Sequence, residues 1–392
     1  MTEDTQAHED WRALHRHVVD MHDEFVDFLT AMVKIESPTD RPETQAAVQD
    51  ILAEAFEDLG FATRIVRGES TGGHFYAVPE RRERGRASQL MIGHTDTVWP
   101  IDTLHEMPVR MDEGRLHGPG TLDMKGGLTQ MIFALRALRA LGREPEVTPV
   151  VFINSDEEVG SPESKPWVER IAGRVQRAFV LEPALAPHGR IKTARKGVGS
   201  YQITIRGKAA HAGLEPEAGA SAVQELSHVI QALHGLTDLA VGTTVNVGVV
   251  EGGTRENVVA PHATAGVDVR VMTSEAGQGL DEAIRSIRAV TPGVRVEVAG
   301  GIRVPPLERT PRNMRLWDRA FEVAGGMGLE LDHAMAGGGS DGNTTSQFTA
   351  TLDGLGCVGD GPHALHEHIE VRPTLDRCAL LAGLLMSPPD DA

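Results

Sequence analysis

The sequence predicts an α/β protein with a largely parallel sheet, interrupted by an inserted antiparallel unit. Three observations support this. Short apolar runs alternate with helical patterns early in the chain, the middle follows the order βαββαβ, and helical patterns resume after the glycine pair at residues 300–301. Strands separated by helices are typical of parallel sheets covered on both faces. The 392 residues also exceed the usual size of a single core, so we expect two domains.

The first part of the chain carries the alternating pattern. One helical pattern covers residues 42–59 and stops at Gly60, and another covers residues 128–141 and stops at Gly142, as expected where glycine ends a helix. Three short apolar runs are predicted strands, at residues 90–92, 149–153 and 178–181. The carboxyl ends of parallel strands are where open α/β sheets bind ligands.

The middle of the chain follows a different pattern. Apolar residues alternate over 201–205, which indicates a half-buried strand, and a helical stripe follows over 222–233. Two predicted strands, a helix and a final strand come next, at residues 244–250, 263–271, 275–290 and 294–298. This order is the ferredoxin-like pattern. We therefore expect a catalytic domain of residues 1–190 and 302–392, and an inserted domain of residues 191–301.

Composition excludes several classes of protein. A net charge of -18 argues against nucleic-acid binding. No run of ~20 apolar residues could span a membrane, and the acidic first residues do not resemble a signal peptide. Cys357 and Cys378 give no disulfide framework and are expected to be buried thiols. We expect a cytoplasmic protein with no membrane or nucleic-acid partner.

Each of the three predicted strands leads into side chains that can bind a metal ion. Further candidates precede the helix at 128–141 and lie in a late glycine-rich loop. The full set is His94, Glu157, Glu158, Glu182, Asp123 and His363. Taken singly, each has an ordinary explanation, such as a helix cap or a solvated loop. Their combination at one predicted sheet edge favours a metal site.

Five ordered motifs carry a family resemblance: residues 94–98 (HTDTV), 118–127 (GPGTLDMKGG), 156–160 (DEEVG), 181–183 (LEP) and 361–363 (GPH). They resemble the metal motifs of the co-catalytic zinc peptidases. That family includes glutamate carboxypeptidase, acetylornithine deacetylase, succinyl-diaminopimelate desuccinylase and aminoacylase, and the chain most resembles the glutamate carboxypeptidase branch. The resemblance implies a zinc-peptidase catalytic domain with a lid and dimerisation insertion.

The resemblance also implies two Zn²⁺ ions per chain, with Co²⁺ or Mn²⁺ as substitutes. It assigns His94 and Glu182 to one metal, and Glu158 and His363 to the other. Asp123 would bridge them. Zinc takes imidazole and carboxylate ligands, and one carboxylate can span metals ~3.5–4 Å apart.

Three further residues receive catalytic roles from the resemblance. Asp96 would accept the imidazole N–H of His94 and so orient that ring. Glu157 would be the general base that takes a proton from the attacking water. His211, in the motif at residues 207–213, would stabilise the tetrahedral oxyanion.

The same resemblance places substrate-binding residues in and near the insertion: Asn257, Arg270, Arg190, Gly339 and Ser340. Arginine is suited to holding a carboxylate through two parallel hydrogen bonds. One departure concerns Arg303. Family members carry Arg-Pro-Pro after the last lid strand, whereas this chain has Arg-Val-Pro-Pro. In an extended segment, a one-residue shift turns the side chain to the opposite face, which would turn Arg303 away from the substrate.

These observations predict a carboxypeptidase-type hydrolase that releases a C-terminal amino acid, with glutamate as the first expectation. The substrate would be a small peptide or an N-acyl amino acid, and the chain would form a homodimer through the lid. One alternative is an N-acyl amino acid deacylase of the acetylornithine deacetylase or aminoacylase type. A more distant one is a non-catalytic metal-binding protein of the same fold.

Overall fold

A computed structural model describes residues 3–83 and 85–389 of the chain. The helices, in chain order, are α1 (Glu3–Asp20), α2 (His22–Val33), α3 (Ala46–Asp58), α4 (Thr103–Glu106), α5 (Gly126–Ala140), α6 (Lys165–Ala172), α7 (Ala222–His234), α8 (Ser274–Arg285), α9 (Pro311–Met327), α10 (Asp341–Phe348) and α11 (Val371–Leu385). The strands are β1 (Phe61–Val66), β2 (His74–Pro79), β3 (Ser88–His94), β4 (Arg110–Asp112), β5 (Arg115–His117), β6 (Thr148–Asn154), β7 (Arg177–Val180), β8 (Ile191–Arg195), β9 (Gly197–Arg206), β10 (Thr244–Gly252), β11 (His262–Val271), β12 (Arg295–Val304), β13 (His333–Ala336), β14 (Ala350–Leu352), β15 (Gly359–Asp360) and β16 (His368–Glu370).

The described chain divides into two compact units. The second comprises Ala194–Glu308 and Gly337–Gly339, and the first comprises the described residues up to Thr193, Arg309–Ala336 and those from Ser340 onward. The divisions therefore lie slightly beyond the expected residues 191 and 301.

The central sheet of the first unit has the strand order β1-β2-β6-β3-β7-β14. Strands β6, β3, β7 and β14 run parallel to one another, and β2 and β1 add an antiparallel pair beside β6. Position 94 of β3 pairs with position 154 of β6, so these strands end at the same edge. The predicted largely parallel sheet is confirmed. The antiparallel pair is an addition that the sequence analysis did not identify.

Burial explains why the parallel strands lack alternation. Every residue of β6 and β7 is buried, as is every residue of β3 after Ser88, because both faces of the sheet are covered. Helix α5 is buried along most of its length. It starts close to the sheet at Gly127, where an added Cβ would lie 2.1 Å from the carbonyl oxygen of Leu181. A side chain there would force the start of α5 away from the strand edge.

The second unit contains β9, α7, β10, β11, α8 and β12 in that order, which is the predicted βαββαβ sequence. Its sheet is antiparallel with the order β10-β11-β9-β12. Burial alternates along β9 and β11, as expected for a sheet covered on one face. Side-chain caps start both helices, since Ser221 accepts the N–H of Gln224 and Thr273 accepts that of Ala276.

Helix α8 ends earlier than the predicted residue 290. The buried Glu225 carboxylate accepts the backbone N–H groups of Val290 and Thr291, which places them outside a helix. Thr291 also precedes Pro292, and the residue before a proline disfavours helical backbone. The apolar periodicity continued past the point where these contacts end the helix.

A small sheet of order β15-β16-β5-β4, which the sequence analysis did not identify, lies in the first unit. Both cysteines are free and buried, as predicted. Among the residues that the structure describes, none of the helices combines the length and apolar character needed to traverse a bilayer.

Candidate metal centre and active site

Five side chains from separate segments of the first unit meet beyond the ends of the parallel strands. His94 is the last residue of β3, Glu158 lies in a short helical turn after β6, and Glu182 follows β7. Asp123 lies in the turn that precedes α5, and His363 lies between β15 and β16. The structure thus brings together the five residues predicted as metal ligands.

The five side chains form two groups that share Asp123. Nε2 of His94 lies 3.2 Å from Oδ1 of Asp123 and 3.4 Å from Oε1 of Glu182. Nε2 of His363 lies 3.5 Å from Oδ2 of Asp123 and 3.2 Å from Oε2 of Glu158. Each oxygen of Asp123 therefore faces a different imidazole, and each imidazole has its own glutamate.

Asp96 organises the site through more contacts than the predicted one. Nδ1 of His94 lies 2.9 Å from the backbone carbonyl oxygen of Asp96 and 3.5 Å from its Oδ1, so the backbone oxygen is the nearer acceptor. The Asp96 carboxylate also accepts the backbone N–H groups of Glu157 and Glu158, at 3.3 and 3.2 Å. The hydroxyl of Thr39 donates to it at 2.9 Å. One buried carboxylate thus holds the acidic doublet beside His94.

The electrostatics of the cluster favour positive charge. Burial alone would lower the pKa of His94, but hydrogen bonds to Asp123, Asp96 and Glu182 outweigh it and raise that pKa well above its ordinary value. Hydrogen bonds to Asp123 and Glu158 raise the pKa of His363 to about 10. Burial opposes ionisation of Asp123, yet hydrogen bonds from both histidines hold its pKa far below the usual range. A site that stabilises imidazolium also attracts a cation.

Glu157 and Glu158 have different surroundings. Burial, followed by the charge of Glu182, raises the pKa of Glu157 well above its ordinary value. A carboxylate oxygen of Glu157 lies within 4.8 Å of ligand atoms of His94 and Glu182. A carboxylate oxygen of Glu158 lies within 4.8 Å of ligand atoms of His94 and Asp123, and Glu158 also faces His363 at 3.2 Å. A carboxyl group with a raised pKa is suited to proton transfer near neutral pH.

The residues present fit a pair of divalent metal ions. Two imidazoles and three carboxylates are ligand types that zinc uses. Oε1 of Glu158 is buried and has no hydrogen-bond partner among the described residues, which suits an atom that binds a cation. His363 has a φ of 61°, a left-handed conformation that is uncommon outside glycine and often found at functional sites.

His211 and Asn257 lie on neighbouring segments of the second unit. His211 pairs with Val258 in an isolated β-bridge, and the backbone N–H of Ala212 donates to the carbonyl of Asn257 at 3.0 Å. Both predicted residues are exposed. The structure therefore brings the predicted oxyanion residue and the predicted asparagine together within this unit.

The two predicted arginines have contrasting partners. Arg270 donates from Nε and Nη2 to both oxygens of Asp268, at 2.9 and 3.0 Å, because the two residues project from the same face of β11. Nε of Arg190 is buried and has no hydrogen-bond partner within the described chain. Arg270 is thus hydrogen-bonded to a carboxylate, whereas the Nε–H of Arg190 can still donate to a ligand.

The predicted glycine-rich loop splits between the two units. The carbonyl oxygen of Gly339 accepts a hydrogen bond from Nη1 of Arg195 at 2.9 Å in the second unit. Ser340 belongs to the first unit, where its hydroxyl donates to Asp353 and accepts the N–H of Gly342 at the start of α10. The Ser340 side chain is therefore occupied as a helix cap.

Arg303 lies where the pairing of β12 with β9 is irregular. Ile302 pairs with Gly199 and Val304 pairs with Val198, which leaves Arg303 at a bulge. A bulge accommodates one extra residue and re-aims its side chain. Arg303 therefore does not follow the two-face alternation of a regular strand, and the one-residue shift does not by itself turn its side chain to the opposite face.

The sequence analysis missed Glu367, a fully buried residue four positions after His363. Its carboxylate accepts hydrogen bonds from the segment that carries Asp123. Burial raises the pKa of Glu367 to about 7, although its backbone donors oppose that rise. The neighbouring His366 and His368 also carry side chains that can bind a metal ion. His366 faces Asp360 at 4.0 Å and His368 packs against His117, and neither joins the cluster described above.

The chain is similar to known proteins along most of its length. The family model described as peptidase family M20/M25/M40 matches residues 90–387. Carboxypeptidase G2 from Pseudomonas sp. (strain RS-16) is 28% identical over 91% of this chain and 88% of its own length. Acetylornithine deacetylase from Myxococcus xanthus is 30% identical over 66% of this chain and 70% of its own.

Solved structures show the same fold. Aminopeptidase PepT from Bacillus cereus superposes with a TM-score of 0.78 at 23% identity, covering 93% of this chain and 98% of that one. A metallo-carboxypeptidase from Sulfolobus solfataricus gives a TM-score of 0.69 at 16% identity, with 93% and 98% covered. The matched segment contains all five clustered residues and more than half of the sequence. The chain therefore belongs to peptidase family M20/M25/M40.

Proposed function

We propose that this protein is a dinuclear zinc hydrolase that releases a C-terminal, acidic amino acid from a peptide or N-acyl amino acid. The observation that carries the proposal is the position of Asp123, whose two oxygens face different histidine–glutamate pairs. A carboxylate so placed is suited to bridging two metal ions. His94 and Glu182 would hold one ion, and His363 and Glu158 the other, with Co²⁺ or Mn²⁺ as substitutes.

The bound metal ions would supply Lewis acidity, polarising the scissile carbonyl and acidifying the attacking water. Glu157 would accept the proton of that water and deliver it to the leaving amine. The surroundings of Glu157 support this role. Burial and the negative charge of Glu182 both raise the pKa of Glu157, which suits a carboxyl group that accepts and then releases a proton. Asp96 would hold His94 and the acidic doublet in place.

The preference for an acidic product is supported by Arg190. Its buried Nε lacks a partner, and a charged donor left unsatisfied is costly unless a ligand completes it. Carboxypeptidase G2 is also among the similar proteins. Arg270 would have to release the Asp268 carboxylate before it could bind that of a substrate. The deacylase alternative is favoured by the similarity to acetylornithine deacetylase.

The second unit would act as a lid and dimerisation domain, with His211 stabilising the oxyanion and Asn257 binding substrate. A homodimer is supported by β10, the edge strand of its sheet, which exposes Val249 and Val250 at 64% and 52%. An unpaired edge with exposed apolar side chains can pair with a second copy.

A substrate screen tests the proposed function. The zinc-loaded protein is assayed with N-acyl amino acids and dipeptides that vary at the C-terminal residue. We expect fastest hydrolysis when that residue is glutamate or aspartate, and Arg190→Ala should raise KM for these substrates ~10–100-fold. The exposed Arg372 offers a control, and Arg372→Ala should leave KM unchanged.

Two other results of the screen would favour the alternative functions. Rates that follow the acyl group and ignore the C-terminal residue would favour the deacylase. Absence of hydrolysis in protein that holds both metals would favour a non-catalytic metal-binding role.

A further inference from the structure

The carboxylate of Glu367 collects four hydrogen bonds at the back of the candidate metal centre. Oε1 accepts the backbone N–H groups of Leu122 and Asp123, at 2.8 and 3.1 Å. Oε2 accepts the N–H of Gly120 at 3.0 Å and the indole N–H of Trp99 at 2.7 Å. Glu367 thus binds the backbone of the turn immediately before and at Asp123.

All four partners are donors, and a carboxylate has two oxygens that can accept from all of them. A glutamine side chain would keep one acceptor oxygen and direct an NH₂ group at N–H donors. Gly120, in the same turn, has a left-handed φ of 72°, a conformation that suits glycine. A glutamine at position 367 therefore could not accept all four of these hydrogen bonds.

Glu367 also joins two ligand-bearing segments. It lies four residues after His363, and its own backbone carbonyl accepts the N–H of Gly118. The loop that carries His363 is thereby attached to the turn that carries Asp123. The pairing of β16 with β5 joins the same two segments at His368 and His117, and the Glu367 side chain extends that link toward Asp123.

We propose that Glu367 is a positioning residue that fixes the Asp123 turn, so that Asp123 can bridge two metal ions. This inference rests on the dinuclear centre of the proposed function. Loss of the Glu367 carboxylate would weaken both metal sites together, since Asp123 belongs to both. Removing a ligand of one group, such as Glu158, would affect mainly that group.

The test compares two buried glutamates that both accept backbone N–H groups from a loop. Glu367→Gln is the test variant, and Glu225→Gln is the matched control, since Glu225 binds Val290 and Thr291 in the second unit. Metal-free protein is titrated with Co²⁺, and the visible absorption of bound cobalt reports both affinities. The thermal midpoint of each metal-free variant reports folding separately.

We expect Glu367→Gln to weaken both cobalt affinities ~10–100-fold, as is typical when a group that orients a metal ligand is lost. Glu225→Gln should bind cobalt like the wild type even if its thermal midpoint falls. Wild-type cobalt affinities in folded Glu367→Gln would overturn the proposal. So would an equal loss of affinity in the Glu225 control, because the effect would then be one of general stability.

If Glu367→Gln does not fold, Glu367→Asp is used to test the proposal instead. It keeps the charge but withdraws the carboxylate by one methylene, and we expect at least ~10-fold weaker cobalt binding. Unchanged binding would overturn the proposal. The readout is independent of catalysis, so wild-type protein that binds two cobalt ions but hydrolyses no amide would contradict the proposed activity and leave the role of Glu367 intact.

Discussion

Glu157 and Glu158 are adjacent in sequence and both lie near His94, but their other neighbours differ. Glu157 lies near His94 and Glu182, and Glu158 faces His363. We predict that Glu157→Gln retains both metals but lowers kcat ~10²–10⁴-fold, because the proton acceptor is gone. Glu158→Gln should instead lose affinity for one metal. Metal analysis and kcat of the two variants check this, and the reverse pattern would show that the two roles are exchanged.

At the residue scale the sequence indicated which side chains come together and was poor at finding supporting contacts. The convergence of His94, Glu158 and Glu182 could be predicted because each follows an apolar run that ends at one sheet edge. Glu367 could not be found, because its role depends on donors more than 240 residues away along the chain. A buried acceptor leaves no periodic signal in sequence.

At the scale of elements, one glutamate accepts several hydrogen bonds from the loop between β1 and β2. The carboxylate of Glu163 accepts hydrogen bonds from the Ser70 hydroxyl, the backbone N–H groups of Ser70 and Glu69, and the Thr71 hydroxyl. Led by the Ser70 hydroxyl, these donors lower the pKa of Glu163 from 4.5 to about 2. A carboxyl whose pKa is depressed on folding stabilises the fold above its unfolded pKa and loses that effect as pH falls.

We therefore predict that Glu163→Gln lowers the thermal midpoint at pH 7, and that the gap from the wild type closes between about pH 4.5 and pH 2. Thermal melts of metal-free protein across this range measure the gap. Asp112→Asn, in an exposed strand of the small sheet, is a control for removal of one charge. A gap that does not depend on pH would mean that the ionised carboxylate is not what anchors the loop.

Element types were predictable where periodicity was strong. The strands β3, β6 and β7 and the helices α5 and α7 all appear where the apolar patterns place them. The end of α8 and the bulge at Arg303 were not predictable, since both follow from contacts with distant segments. The short strands β4, β5, β15 and β16 contain too few residues for a period to be recognised.

At the scale of the whole molecule, the proposed dimer makes a prediction about the location of His211. If this exposed residue acts on the partner chain, an active site needs two chains. Mixing the inactive variants Glu157→Gln and His211→Ala should then restore about a quarter of wild-type activity, because random two-fold pairing makes half of the dimers mixed and each has one intact site.

His211→Ala alone should lower kcat ~10²–10³-fold, as for loss of one oxyanion donor. Formation of mixed dimers is checked with differently tagged chains. If mixed dimers form and no activity returns, His211 does not act across the interface.

The central claim is that Asp123 joins two metal ions, and metal content measures it most directly. Protein purified without chelators and equilibrated with excess zinc is freed of unbound metal and analysed for zinc per chain. We predict about two zinc ions per chain in the wild type, and less in Asp123→Asn, because one carboxylate serves both ions. A wild-type value near one that added zinc cannot raise would contradict the account.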